Sequence, residues 1–139
     1  MSNDAEIPIG FEPYPEMSPF LERLDPLYLK QGAAGHVIDL RIVEHNCNNN
    51  NSAHGGLFAT LADIALGKMS CWSETPPITR VTTSLTTDDL GATRLGAWIE
   101  AAANFHRIGC DLAFANYYIS YGERRLARVN GLYKEFNGS

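Results

Sequence analysis

From Gly35 onward the chain shows two rhythms. Residues 36–45 alternate, with Ile38, Leu40 and Ile42 on one side and Asp39 and Arg41 on the other, which predicts a half-buried strand. Residues 57–72 are dense in helix formers, too long for one strand and apolar nearly all round. They predict one helix of four to five turns, covered on most sides. Four strand-like runs follow, residues 78–88, 97–106, 111–121 and 125–136, joined by turns around Gly91 and Gly96, Gly109 and Gly122. One early strand, one long helix and four hairpin-linked strands predict an α+β domain, an antiparallel sheet wrapped on a single helix.

The first residues lack any such rhythm. Residues 1–17 hold Pro8, Pro13 and Pro15 among scattered acids and predict an irregular leader. Ser18 followed by Pro19 looks like an N-cap and a first-turn proline, opening a short helix through Phe20, Leu21 and Leu24 that Asp25 and Pro26 close. Residues 18–139 then form a single domain, the natural count for 139 residues. The four asparagines at 48–51 predict a turn, since Asn tolerates left-handed backbone.

Charge narrows the function. The net charge of −5 belongs to the leader: residues 1–25 carry six acids and one base, and residues 26–139 hold ten of each sign. Without a basic surplus there is no footprint for a phosphate backbone, so nucleic acid is not expected as a partner. The longest apolar run is broken by Asp63 and Lys68, so no membrane span is expected. The acidic start does not resemble a signal peptide. Cys47, Cys71 and Cys110 are odd in number and widely spaced, which suits reduced thiols in the cytoplasm better than a disulfide framework.

Two anomalies mark candidate chemistry. Asp63 stands in mid-helix between Leu61, Ala62, Ile64, Ala65 and Leu66, where an ionised carboxylate is expensive without partners. It is either a tuned general base or nucleophile, or one end of a solvated stripe with Lys68. His54, Gly55 and Gly56 open the same helix, where first-turn N–H groups lack internal partners and can stabilise an oxyanion. The plain alternative is a turn into the helix. Gly55 and Asp63 are eight residues apart, about 12 Å along a helix axis. One helix cannot hold a carbonyl at the first and attack it from the second. If both act on one carbon they come from two subunits of a two-fold dimer.

The stretch from Asn46 to Asp63 resembles the signature of hotdog-fold thioesterases of the phenylacetate-pathway type: an Asn, three residues on a Gly, then His-Gly-Gly, and an Asp seven residues after the second Gly. Asn48, His54, Gly55, Gly56 and Asp63 match that spacing. The likeness continues at residues 81–85, 96–100 and 126–128, and covers about residues 25–136. It implies a curved antiparallel sheet around one long central helix, dimers with sites at the interface, and usually tetramers. It also implies hydrolysis of an acyl-CoA or acyl-carrier thioester, with no cofactor and no metal. Asp63 would attack the thioester carbon or activate water, and the Gly55 amide would polarise the carbonyl. Asn48, His54 and Thr82 would position water, thioester or loop. Gly56, Thr83, Arg107 and Arg124 would contact substrate, and Arg125 is a further candidate for the coenzyme A phosphates.

Two positions depart from the pattern. Asn51 replaces the usual glycine before His54, and Asn readily accepts the positive φ required there. Asp88 and Asp89 stand where the family often has an aromatic residue and then Pro-Ala. They bear on substrate class if they point inward, and are solvated at a hairpin end if they do not. A non-catalytic acyl-CoA-binding or structural hotdog protein is the alternative function. A hotdog dehydratase fits less well, because those carry a different His-plus-acid arrangement. His45, Cys47 and His54 lack the spacing of a zinc site, and Cys47 with His45 lacks a third group to orient the base. Phe105, Phe114, Tyr117, Tyr118, Tyr121 and Tyr133 lie at strand spacing and predict sheet core and interface.

Overall fold

The computed structural model describes residues 6–24, 26–32, 35–72, 80–109 and 111–135, and within them the side chains other than those of 32, 35, 36, 66–72, 102–106 and 108. The elements in chain order are β1 (Glu12–Pro13), α1 (Pro19–Glu22), β2 (Tyr28–Gly32), β3 (Gly35–Arg41), a 3-10 turn (Glu44–Asn46), α2 (Gly55–Trp72), β4 (Arg80–Asp89), β5 (Trp98–Ile108), β6 (Leu112–Tyr121) and β7 (Arg124–Glu135). The strands make one antiparallel sheet in the order β1-β2-β3-β5-β6-β7-β4. The sheet curves around α2, which touches β3, β4, β5, β6 and β7. This is the α+β hotdog arrangement expected above.

Period-two burial fixes the inner face. Ala113, Ala115, Tyr117 and Ile119 of β6 point inward and are fully buried, and their neighbours face out. On β7 the alternation slips, because the ladder shifts register between Ile119 and Ser120 and lets Leu126 and Ala127 both turn inward. The helix meets this face with Leu57, Phe58, Leu61, Ala62 and Ala65, the three-and-four spacing that lines one side.

Several boundaries differ from expectation. The strand expected over residues 36–45 ends at Arg41, because Asn46 Oδ1 takes the Val43 amide (2.9 Å) and bends the chain into the 3-10 turn. β2 is absent from the sequence reading. Its core side rests on Leu29, and Tyr28 packs on Trp98 with ring centroids 5.4 Å apart. The leader also contributes: β1 pairs with β2, Tyr14 is buried in the core, and Phe11 stacks edge-on against Trp98. Ser18 caps α1 as expected, accepting from the Leu21 amide at 3.2 Å. Asp25, residues 78–79, Cys110 and Phe136 lie outside the described residues, as do the side chains of Lys68, Cys71, Phe105 and His106. Among the described residues, no helix is long and apolar enough to cross a membrane.

The topology leaves β4 at the sheet's end. It pairs with β7 on one side, and its other backbone edge carries no strand among the described residues.

Candidate active site

The Asn-rich loop is organised by its own first residue. Asn48 Oδ1 accepts from the amides of Asn50 (2.9 Å) and Ser52 (3.3 Å), and the Asn48 amide donates to the Ser52 carbonyl (2.8 Å). The turn requires a left-handed residue, and Asn51 supplies it at φ 57°. Ser52 Oγ and the Ala53 amide both donate to the Thr93 carbonyl, which pins the loop to the segment before β5. The side-chain oxygen of Asn48 is therefore spent within the loop.

His54 is the N-cap of α2. Its Nδ1 accepts from the Gly56 amide at 2.9 Å, which leaves the ring proton on Nε2. The His54 amide bonds to the Asn46 carbonyl and the Leu57 amide to the His54 carbonyl. Of the first-turn donors only the Gly55 amide makes no hydrogen bond among the described residues. It is an unspent donor at the positive end of an 18-residue helix. A Cβ on Gly55 would stand 2.8 Å from Asp89 Oδ2, so a carboxylate lies directly against this glycine. Asp88 faces the other way and pairs with Arg128 at 2.9 Å on the surface.

Asp63 lies two turns along α2 and is half-buried. Thr82 Oγ1 donates to its Oδ1 at 2.6 Å, from the edge strand β4. The β4 ladder shifts register between Thr82 and Ser84, so Thr83 is the extra residue. Tyr133 also donates to Asp63 Oδ1, at a longer 3.5 Å. Its ring can fold back along β7 because residue 131 is glycine, where a Cβ would come within 2.6 Å of the ring. Beneath this turn the Tyr117 hydroxyl donates to the Leu61 carbonyl at 3.0 Å. Burial, then the neighbouring Tyr133, Asp39 and Asp63, hold the Tyr117 hydroxyl well above its ordinary titration range, so it stays a neutral donor. Asp63 thus has one oxygen fixed by hydroxyls.

Among the described residues, one cavity borders the Asn loop and another the first turns of α2. The larger, about 1000 Å³, is lined by the Asn loop, residues 92–97, Tyr121 and Arg124, with Arg94 as a second guanidinium. Arg124 is steered by a 2.6 Å bond from Nη2 to the Ala92 carbonyl. The smaller, about 330 Å³, lies between α1 and the first turns of α2 and includes His54, Gly56 and Thr60. His45 and Cys47 border it too, but among the described residues no three His, Cys, Asp or Glu side chains are grouped to hold a metal. Arg107 stands at the far end of β5 from the Asn loop and lines neither cavity. Arg125 lies over the Tyr118 ring at 3.7 Å. Thr82 and Asp63 come together as one group and His54, Gly55 and Gly56 as another, whereas Asn48 turns into its own loop and borders the larger cavity. The sequence places Tyr133 in sheet core and interface without a link to Asp63, and leaves the direction of Asp89 open.

Comparison with known proteins decides the family. A protein of Pseudomonas aeruginosa named "Putative esterase PA0474" is 39% identical over 128 residues, covering 91% of this chain and 96% of that protein. The chain belongs to the hotdog-fold thioesterase superfamily. No family model matches it. The fold agrees with solved members of this superfamily. Zebrafish thioesterase superfamily member 2 superposes at TM-score 0.75 with 24% identity, covering 85% of this chain and 87% of that one. The PaaI protein of E. coli, from the phenylacetic acid degradation operon, gives 0.68 with 21% identity over 75% and 74%. A hypothetical thioesterase of Streptococcus pneumoniae solved with coenzyme A gives 0.69 with 19% identity over 78% and 87%. The hotdog superfamily expected from the Asn46–Asp63 stretch is therefore the superfamily found.

Proposed function

We propose that this superfamily member hydrolyses acyl-CoA thioesters in sites shared between two subunits. The observation that carries the proposal is the pairing of an unspent Gly55 amide with an Asp63 carboxylate that hydroxyls hold at one oxygen only. Water attacks the thioester carbon while Asp63 takes its proton, or the carboxylate attacks first and water hydrolyses the mixed anhydride. Either way the carbonyl oxygen becomes an oxyanion against the Gly55 N–H, and collapse expels the thiolate. On the first route the thiolate takes back the proton held by Asp63, and on the second it is protonated by the water that then splits the anhydride into the free acid and the Asp63 carboxylate. Thr82 positions Asp63, and His54 and Asn48 hold the loop and first turn in place.

The two groups lie about 12 Å apart along one helix, so each site takes Gly55 from one chain and Asp63 from its partner. Support comes from β4: a ten-residue edge strand with an open backbone edge, well suited to pairing with its own copy. Coenzyme A bound in the S. pneumoniae neighbour supports a CoA ester as substrate. The larger cavity, with Asn48 at one wall and Arg94 and Arg124 at another, suits the polar arm and phosphates of such a molecule. The Asp89 carboxylate against Gly55 favours one other reading, acyl-CoA binding without turnover, since a negative charge there opposes an oxyanion. Thiol release from a panel of acyl-CoA esters separates the two: release that Asp63→Ala abolishes supports hydrolysis, and binding without release supports the second.

A further inference from the structure

Two neighbouring acids on β4 meet different surroundings. The ladder to β7 sets Asp88 opposite Arg128 and Asp89 opposite Ala127, so the two side chains leave the sheet on opposite faces. Asp88 points outward and pairs with Arg128 at 2.9 Å. Asp89 points to the inner face, which carries the buried Ala127. Its Oδ2 would stand 2.8 Å from a Cβ on Gly55. Cβ and amide nitrogen are bonded to the same Cα, so that oxygen lies within about 5 Å of the Gly55 nitrogen.

This carboxylate is accessible and unpaired. Asp89 is exposed, and among the described residues its side chain takes no hydrogen bond and no ion pair. The arginines on the adjoining stretch of β7 are engaged elsewhere: Arg124 on the Ala92 carbonyl at 2.6 Å, Arg125 over the Tyr118 ring at 3.7 Å, and Arg128 on Asp88. The positive end of α2 favours an anion at this place. During the reaction, however, a fixed negative charge beside the oxyanion donor opposes the charge that grows on the carbonyl oxygen. The proposed shared site adds Asp63 from the partner chain as a second carboxylate.

We infer that Asp89 selects the substrate: the site prefers acyl thioesters that carry an ammonium group two or three bonds from the carbonyl carbon. The inference rests on the thioesterase reading for the reaction and names its substrate class. An ammonium so placed meets the Asp89 carboxylate while the carbonyl oxygen meets the Gly55 N–H. It makes a charge-assisted hydrogen bond and shields the growing oxyanion from the carboxylate. A methyl group in its place leaves the opposing charge in force, and a carboxylate adds to it.

Rates and binding test this separately on the full chain. 3-Aminopropionyl-CoA and butyryl-CoA have acyl groups of one length that differ only in an ammonium against a methyl at the end. Thiol release by the wild type should show kcat/KM about tenfold higher for the amine, the scale of one hydrogen bond to a charged group. Asp89→Asn keeps the shape and removes the charge. It should lower kcat/KM for the amine and raise it for butyryl-CoA, whereas a purely structural role would lower both. Asp88→Asn removes the outward charge one residue away and should leave the preference unchanged. Titration calorimetry with two thioethers that cannot be hydrolysed, S-(3-aminopropyl)-CoA and S-butyl-CoA, reads the same preference without turnover. High salt should weaken it in the wild type, which keeps the test open if Asp89→Asn fails to fold. Equal behaviour of amine and hydrocarbon in the wild type, or a preference that survives Asp89→Asn or high salt, overturns the inference. If both esters are hydrolysed alike, the hydrolase reading stands and this inference falls. If the thioethers differ as expected while no ester releases thiol, Asp89 keeps its role and the hydrolase reading falls.

Discussion

Thr82 Oγ1 donates a 2.6 Å hydrogen bond to Asp63 Oδ1, and that bond ties the open edge strand of the sheet to the middle of the central helix. It orients a carboxylate that local sequence alone would leave among apolar neighbours, and among the described residues the second oxygen carries no hydrogen bond.

Asp63→Ala should lower turnover of an acyl-CoA substrate by at least about 10², the scale of losing a general base or nucleophile. Thr82→Val, which removes only the orienting hydroxyl, should lower kcat by about tenfold with KM little changed, because a misaligned base still binds substrate. Thiol release measured against substrate concentration separates the two effects. Equal losses in both variants would show that Thr82 does more than orient.

Gly55→Ala keeps the amide but adds a Cβ 2.8 Å from Asp89 Oδ2. The variant should lose activity because the carboxylate or the helix start must shift. Asp89→Ala in the same chain should restore much of it by making room. Stability and kcat/KM for the two single variants and the double variant form a cycle that reads the coupling. Additive losses would mean that the two residues do not meet.

Asp39 supplies a pH dependence of stability. It is fully buried on β3, with Trp98 Nε1 donating to it at 2.6 Å, and its pKa is raised from 3.8 to about 7. Burial is the main cause, with Glu100 adding to it, and the Trp98 bond, the Ala101 backbone and Lys30 acting against it. The folded state therefore holds a proton that the unfolded chain gives up. This contribution is full below about pH 4, is lost as pH rises, and is gone above about pH 7. Asp39→Asn removes the penalty and should gain about 4 kcal/mol relative to the wild type at pH 8 but little at pH 4. Urea unfolding at both pH values measures this, and a pH-independent difference would contradict it.

Much of this architecture is legible in the sequence, and the exceptions have physical reasons. The alternation of β6 and the helix-forming run over α2 are strong local signals, and the positive φ at Asn51 follows from the steric tolerance of Asn. β2 escaped because Tyr28–Gly32 gives a short, mixed stretch whose pairing with β3 is a long-range fact. The leader escaped because prolines hide a two-residue strand and a buried Tyr14, neither of which periodicity can register. Residues 48–63 announced the candidate site through spacing. Tyr133 on Asp63 and Asp89 against Gly55 could not be read that way, since each joins elements far apart in the chain.

Tyr14 makes the leader testable. It is 3% exposed and sits in the core cluster. Tyr14→Ala should cost about 3 kcal/mol, the lower end for emptying a large aromatic site, and thermal unfolding should show a clear fall in Tm. An unchanged Tm would mean that residues before α1 are an appendage to the fold.

The central claim is that each site takes Gly55 from one chain and Asp63 from the other, and subunit mixing tests it most directly. Asp63→Ala removes the carboxylate, and Gly55→Pro combined with Asp89→Ala removes the amide N–H at a first-turn position where proline is tolerated, the second change making room for the ring. Each variant alone should be nearly inactive. Unfolded together in equal amounts and refolded, they should recover about a quarter of wild-type thiol release. Half of the dimers would then be mixed, and each of those would hold one intact site of two. If the mixture stays as inactive as its components, although mixed dimers are seen by mass spectrometry, the site lies within one chain and the account is wrong.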